Sequence, residues 1–307
     1  MIGLGSIGTR HLHNIASVLR ERNAEFTIDW IRSDPHKFLD AKTQQLINEV
    51  FSYDEVSDDY DVIFIANPTH LHFKTIKKYA SKTKHMFIEK PIFDDINAPL
   101  DKLALNDDGV YYVACPLRYT GVIQHIKKNL CKERVYSVRV ICSSYLPDWR
   151  PNVDYRHTYS AHKNQGGGVS IDLIHEWDYL SYLFGYPEEI YNIRGIFSKL
   201  EIDSDDLSIY IARYKDKAVE VHLDYFGRKS IREIQLFTKG ETIVGDLIKS
   251  EIRYLSNNKV IGFKESRNDY QRKEITYFFD ILDGKESNYN NILTAVKTLK
   301  IAKGGSL

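Results

Sequence analysis

The first eleven residues, MIGLGSIGTRH, constrain this chain more than any other stretch. Gly3, Gly5 and Gly8 stand in the spacing G-x-G-x-x-G. Gly3 permits a tight turn at a strand end, Gly5 lets a pyrophosphate approach bare backbone, and Gly8 lets the next helix pack close to a sheet. Phosphates placed there meet the unpaired N–H groups and the positive dipole end of that helix. The motif carries weight only in context: a strand before it, a helix after it, and a second strand ending about twenty residues on. The helix is legible in Ile7, Leu12, Ile15, Ala16 and Leu19, which recur at helical spacing. The second strand is legible in Phe26–Ile31, rich in β-formers and closed by Arg32-Ser33-Asp34-Pro35. Only Met1 and Ile2 precede Gly3, whereas strands average about five or six residues. A longer natural N-terminus is therefore expected.

The alternation continues. Asp34-Pro35 reads as the cap and first residue of a helix to about Asn48, followed by a short strand near Val50-Phe51. Asp61–Ala66 is a continuous apolar run, the pattern of a parallel strand buried on both faces. It ends in Asn67-Pro68-Thr69-His70-Leu71-His72, and a helix follows to about Ser81. His85–Glu89 reads as a further buried strand ending in Glu89-Lys90-Pro91; then come a helix over Ile96–Leu105 and a strand over Val110–Ala114. The fold class for residues 1–115 is α/β, a doubly wound parallel (Rossmann) sheet whose first strand is truncated, with ligands bound at the C-terminal strand ends.

Beyond Cys115 the rhythm changes, and residues 116–307 read as an α+β domain with a large mixed or antiparallel sheet. A helix is expected over Leu117–Asn129, a long strand over Val135–Tyr145, a polar aromatic loop over 146–165, and a helix from Gly166-Gly167-Gly168 to Gly185. Strands follow at 188–198, 206–214, 218–226, 231–238, 241–247, 251–255 and 259–263, with hairpin turns at Lys215-Asp216, Lys239-Gly240 and Asn257-Asn258. Two helices, about 268–283 and 289–303, close the chain, the last packing back on the Rossmann domain. A length of 307 residues suits two domains. With 42 basic and 42 acidic residues, no footprint for nucleic acid is present. No apolar run reaches membrane-spanning length. Cys115, Cys131 and Cys142 form no C-x-x-C pair, so neither a zinc site nor a disulfide is expected, and a cytoplasmic location is.

Four motifs in order, GLGSIG (Gly3–Gly8), ANPTHLH (Ala66–His72), EKP (Glu89–Pro91) and GGGVSIDLIHEWDYL (Gly166–Leu180), resemble the glucose–fructose oxidoreductase/inositol dehydrogenase/MocA family. SYLPDW (Ser144–Trp149) and YRHTYSA (Tyr155–Ala161) are similar to a branch found beside genes for surface-sugar biosynthesis. The resemblance implies an NAD(P)-dependent oxidoreductase moving hydride between nicotinamide and a hydroxyl-bearing carbon of a sugar or nucleotide sugar. It implies Gly3, Gly5, Ser6, Ile7, Gly8, Asn67, Pro68, Thr69, His72, Glu89, Lys90 and Arg118 on the cofactor side. Lys90 stabilises the alkoxide, Asp172 binds substrate, and His175 exchanges the proton. Many relatives place the histidine four residues after the aspartate; here it is three after, and Glu176 occupies the fourth. All three share a face if one helix carries them, so Glu176 stays open as the base.

Tyr119, Tyr145, Trp149, Arg156 and Tyr159 are substrate-side candidates, since aromatic faces stack on sugar rings and arginine binds carboxylate or diphosphate bidentately. Arg32 and Ser33 stand where an acidic residue would bond the ribose of NAD, which favours NADP(H) with NAD(H) as the alternative. The glycine run 166–168 admits both helix entry and close approach to a sugar. A homodimer or homotetramer through the C-terminal sheet is expected. An NAD-dependent glycosidase using transient oxidation and a non-catalytic NAD(P)-binding sensor are the alternatives.

Overall fold

A computed structural model describes residues 1–3, 5–32, 40–53, 55–57, 59–130 and 134–305. The chain forms two compact units. One comprises Met1–Ala114 with Arg267–Val296; the other comprises Cys115–Ser266 with Lys297–Leu307.

The first unit contains α1 (Ser6–Glu21), β1 (Trp30–Ile31), α2 (Ala41–Gln44), β2 (Val50–Phe51), β3 (Tyr60–Ile65), α3 (His72–Tyr79), β4 (Thr83–Ile88) and β5 (Tyr111–Val113). Its strands pair in parallel, β1 with β2, β3 with β4, and β4 with β5, and one antiparallel bridge joins Tyr112 of β5 to Asn291. Ile2 bridges Ile31 on one side and Ile65 on the other. Its N–H donates to Phe64 O at 2.8 Å and its carbonyl accepts from Ala66 N at 2.8 Å. The residue before Gly3 is thus the centre of the sheet, as a doubly wound fold requires. The runs that read as continuously apolar are buried at their C-terminal halves, Ile63–Ile65 and Met86–Ile88.

Several local expectations fail for identifiable reasons. The strand over 26–31 shrinks to Trp30–Ile31, because its partners are the two-residue β2 and the single bridge from Ile2. The helix over 34–48 is only Ala41–Gln44; its cap is Asp40, whose carboxylate accepts from Thr43 N, and residues 33–39 lie outside the described ones. No helix spans 96–105. Pro99 disfavours helical backbone before it, Ala104 takes φ +49°, and only a 3₁₀ turn, Leu100–Lys102, remains.

The second unit contains α4 (Gly121–His125), β6 (Val135–Tyr145), α5 (Val169–Asp172), α6 (His175–Phe184), β7 (Glu189–Gly195), β8 (Leu207–Arg213), β9 (Ala218–Asp224), β10 (Phe226–Thr238), β11 (Thr242–Asp246), β12 (Glu251–Tyr254) and β13 (Lys259–Gly262). Its eight strands run β13-β12-β11-β10-β6-β9-β8-β7, all antiparallel except β6 with β9. One face is buried through Val138, Val140, Val219, Val221, Leu223, Ile234 and Leu236. The helix expected over 117–129 is broken: a 3₁₀ turn from Pro116 to Tyr119 gives way at Thr120, whose ψ of 147° is extended. The Thr120 hydroxyl then accepts from Ile123 N and starts α4 afresh. The helix expected from Gly166 to Gly185 is two helices, parted at Leu173 (φ −97°, ψ 29°) and Ile174. Of the cysteines, Cys115 and Cys142 are buried and in no disulfide among the described residues, and Cys131 lies outside them.

Two helices end the chain, α7 (Arg267–Leu282) and α8 (Ile292–Ala302). Within the first unit, the Phe278 ring of α7 meets Phe64 at 5.6 Å, Phe87 at 5.4 Å and Tyr112 at 5.9 Å between centroids. Arg22 at the end of α1 pairs with Asp280 at 2.9 Å. Asn290 and Val113 exchange hydrogen bonds, Val113 N donating at 2.9 Å and Asn290 Nδ2 at 2.7 Å. Among the described residues no helix is long and apolar enough to cross a membrane.

Candidate functional site

Two of the three glycines, Gly3 and Gly8, are forced by their surroundings. Gly3 has φ +106°, and a Cβ on it would lie 2.5 Å from the Ala66 carbonyl carbon. A Cβ on Gly8 would lie 2.6 Å from Gly3 O, so α1 can sit this close to the turn only with glycine there. Trp30, buried in β1, holds that same carbonyl through its indole N–H at 3.0 Å. Gly5 is exposed, and a Cβ on it would meet nothing within 4 Å. It is the N-cap of α1, and no side chain caps the helix. Ser6 is exposed and Ile7 half-buried. An uncapped sixteen-residue helix with bare backbone before it matches the pyrophosphate of a dinucleotide.

Beside it, Asn67 ends β3. Its Nδ2 donates to Thr75 Oγ1 at 2.8 Å, while its buried Oδ1 has no partner among the described residues. Pro68 is exposed and Thr69 half-buried. A lone buried acceptor at a strand's C-terminal end awaits a donor such as a ribose hydroxyl. Arg32 follows β1 and is buried, its N–H donating to Phe51 O; Ser33 lies outside the described residues.

His72 is corrected from cofactor contact to clamp. Its imidazole is buried, with Nε2 2.9 Å from Asn67 O and Nδ1 3.0 Å from Pro91 O and 3.2 Å from Ile92 O. Burial lowers its pKa, opposed by those carbonyls and by Glu89. One ring therefore ties the turn after β3 to the turn after β4.

Glu89 N donates to Ile65 O, fixing the end of β4. The Glu89 carboxylate then works in two directions. One oxygen lies 2.5 Å from His11 Nε2, and the other accepts from the backbone N–H of Lys90 at 3.1 Å. Burial would raise the Glu89 pKa, but His11 and Lys90 hold it below the ordinary carboxylate value. His11 escaped the sequence reading, although it lies three residues after Gly8 on the same helix. Its partner is 78 residues away, and nothing local announces the pair.

In the second unit, Asp172 ends α5 and His175 begins α6, so the two do not share one helix face. From Gly166 to Leu180, His175 alone is not buried. Asp172 Oδ2 accepts from the Tyr225 hydroxyl at 2.6 Å. The Tyr159 hydroxyl also bonds Asp172, and the Asp172 charge is the main reason its pKa is raised. Trp149 packs edge-to-face on Tyr225 at 5.2 Å and donates from Nε1 to Ser144 Oγ at 2.9 Å. Tyr225, directly after β9, is a further residue to which the sequence reading gave no role. The glycine run serves packing against the chain itself, since a Cβ on Gly167 would lie 2.1 Å from Tyr159 O.

Three candidates are turned away from ligand chemistry. Glu176 is fully buried, and its two oxygens accept from Arg232 at 2.7 and 3.2 Å. A carboxylate held this way by a guanidinium is a poor proton acceptor, which removes Glu176 as the base. Arg118, expected on the cofactor side, donates from Nε and Nη2 to Asp178 at 2.9 and 2.8 Å, both side chains being buried. Arg156 is exposed and neutralised by Asp154 at 2.7 Å and Glu201 at 3.3 Å. Tyr119 and Tyr145 are half-buried, and Tyr145 lies under the Arg228 guanidinium at 3.8 Å.

Comparison with known proteins agrees with this geometry. Residues 1–105 match the profile described as the oxidoreductase family with an NAD-binding Rossmann fold, GFO_IDH_MocA. The uncharacterized oxidoreductase YrbE of Bacillus subtilis is 26% identical over 195 residues, 60% of this chain and 53% of the relative. The chain spans about half the length of the curated relatives it matches. A levoglucosan dehydrogenase in complex with NADH and levoglucosan superposes with a TM-score of 0.81 at 17% identity, over 98% of this chain and 94% of that one. The WlbA dehydrogenase of Bordetella pertussis, in complex with NADH and UDP-GlcNAcA, gives 0.75 at 17% identity, over 98% and 92%. At this identity the superpositions establish the fold, a parallel Rossmann-like unit and a large mixed sheet. Through the glycine cradle, the Asn67 turn and the Glu89-Lys90-Pro91 strand end, residues 1–105 of this chain belong to the GFO_IDH_MocA oxidoreductase family with an NAD-binding Rossmann fold.

Proposed function

We propose that the protein is a nicotinamide-dependent oxidoreductase acting on a hydroxyl-bearing carbon of a sugar or nucleotide sugar. One observation carries the reading: an uncapped α1 N-terminus with Gly5 open beside it, in the same unit as a strand ending in a braced Glu89-Lys90. A nicotinamide held there would supply hydride transfer to or from the sugar carbon. The chain's own residues do the rest. The N–H groups of the first turn of α1 bind the pyrophosphate. Asn67 Oδ1 accepts from a ribose hydroxyl. The Lys90 ammonium hydrogen-bonds the reacting oxygen and stabilises the alkoxide. Asp172, oriented by two phenols, accepts from a neighbouring sugar hydroxyl. His175, the one residue of its segment not buried, takes up the hydroxyl proton. The levoglucosan and UDP-GlcNAcA bound by the two structural neighbours support a sugar substrate.

Arg32 at the end of β1 supports a preference for NADP(H), with NAD(H) accepted. The exposed apolar side chains Tyr191, Ile193 and Ile211 on β7 and β8 support a second copy of the chain as partner. The first test is Lys90→Ala. It should bind NADPH and NADH as the unaltered protein does, read by quenching of tryptophan fluorescence. Its turnover of a nucleotide sugar should fall by roughly 10²–10³-fold, the cost of one lost oxyanion donor. Unchanged turnover would remove Lys90 from the chemistry, and nicotinamide binding without any turnover by the unaltered protein would favour a sensor.

A further inference from the structure

Four arginines of the second unit fall into two sets. Arg118 and Arg156 are neutralised by carboxylates. Arg150 and Arg228 have no ion pair among the described residues, and both are exposed. Each instead lies over an aromatic face: Arg150 over Tyr159 at 5.7 Å and Arg228 over Tyr145 at 3.8 Å. Stacking fixes the plane of a guanidinium without consuming its N–H donors.

Both arginines start from pinned backbone. Arg150 follows Trp149, which is held by Ser144 Oγ and packs on Tyr225. Arg228 lies in a bulge of β10. Phe226 pairs with Tyr145 and Ile231 with Ser143, so residues 227–230 stand opposite Ser144 alone. The bulge is tied down by Asp224, whose Oδ1 accepts from Phe226 N at 3.0 Å and Gly227 N at 2.7 Å. A Cβ on Gly227 would lie 1.8 Å from Ser143 Oγ, so a larger residue there would have to displace that hydroxyl. The two launch points join through the Asp172 cluster. Leu146 N, next to Tyr145, donates to Tyr225 O at 2.8 Å, and the Tyr225 hydroxyl bonds Asp172. Tyr159, beneath Arg150, bonds the same carboxylate.

We propose that Arg150 and Arg228 form an anion subsite, and that the sugar taken at Asp172 carries a diphosphate or a carboxylate. The proposal rests on Asp172 marking the sugar site. Two guanidinium forks held over aromatic faces, with no carboxylate paired to either among the described residues, can each match the oxygens of a phosphate or carboxylate bidentately. A neutral sugar would use neither.

The test is calorimetric titration of the protein with UDP, with glucuronate and with N-acetylglucosamine. NADH binding is followed by fluorescence in parallel samples. UDP or glucuronate should bind well above the neutral sugar, and which of the two does so identifies the anion. Arg150→Gln and Arg228→Gln should each weaken that ligand roughly ten- to hundredfold. Arg228→Lys should fall between, because it keeps the charge and loses the fork. Arg20→Gln, which removes one charge from the last turn of α1, should change nothing. Anions binding no better than N-acetylglucosamine, or both glutamine variants binding like the unaltered protein, would overturn the subsite. Loss of NADH binding in the unaltered protein would instead strike the oxidoreductase reading, and leave the anion titration legible.

Discussion

At the residue scale, the most consequential side chain is Glu89, which joins His11 of α1 to the backbone of Lys90. Its pKa in the fold is held below the ordinary 4.5 by His11 and Lys90 against the opposing effect of burial. A depressed carboxylate pKa stabilises the fold above its unfolded value and loses that contribution as pH falls through the folded one. Glu89→Gln should therefore lower Tm near neutral pH, and the gap to the unaltered protein should close below about pH 4.5; a gap constant with pH would contradict the pairing. The neighbouring question, which group takes the proton, has a separate test. Glu176→Ala leaves the half-buried Arg232 without its buried carboxylate, so it should cost up to about 3–5 kcal/mol in urea unfolding. His175→Asn, at a half-buried position, should leave stability nearly unchanged and lower kcat by roughly 10²–10⁴-fold. The reverse pattern would restore Glu176 as the base.

At the element scale, the glycine turn and the parallel strands were legible because their signals are local. Gly3, Gly5 and Gly8 announce their backbone needs within six residues, and Ile63–Ile65 announce burial by lacking polar neighbours. What stayed hidden depends on distant partners or on competition between local rules. Arg232 meets Glu176 across 56 residues and His11 meets Glu89 across 78, with no periodicity to mark either. Thr120 could continue a helix or cap a new one, and it caps. Residues 169–184 have helical character throughout, yet Leu173 turns aside and splits them. Substitution of Gly8 tests the best-marked element. A Cβ there meets the Gly3 carbonyl at 2.6 Å, and backbone cannot swing away. Gly8→Ala should weaken NADH binding at least tenfold with a native-like circular dichroism spectrum, whereas Gly5→Ala, whose Cβ meets open space, should act only through the bound pyrophosphate.

At the scale of the whole molecule, the exposed residues of the eight-stranded sheet set the expected assembly. Tyr191 and Ile211 are paired across β7 and β8, and with Ile193 they leave an apolar stripe facing water. Ile193→Lys should convert the sedimenting species from oligomer to monomer while leaving Tm of the separated chain within a few degrees. An unaltered monomer in the native protein would remove this surface as an interface. The chain's path carries one more implication. The nucleotide-binding unit takes residues 267–296 from the far end of the sequence, and Phe278 fills the space between Phe64, Phe87 and Tyr112. During synthesis its first 114 residues therefore emerge without the ring that completes their core. At roughly 5–20 residues per second they wait on the order of ten to forty seconds for it, with apolar strands uncovered. The second unit's sheet is made in that interval, so the unit that begins first completes its core only after the sheet of the other has been synthesised.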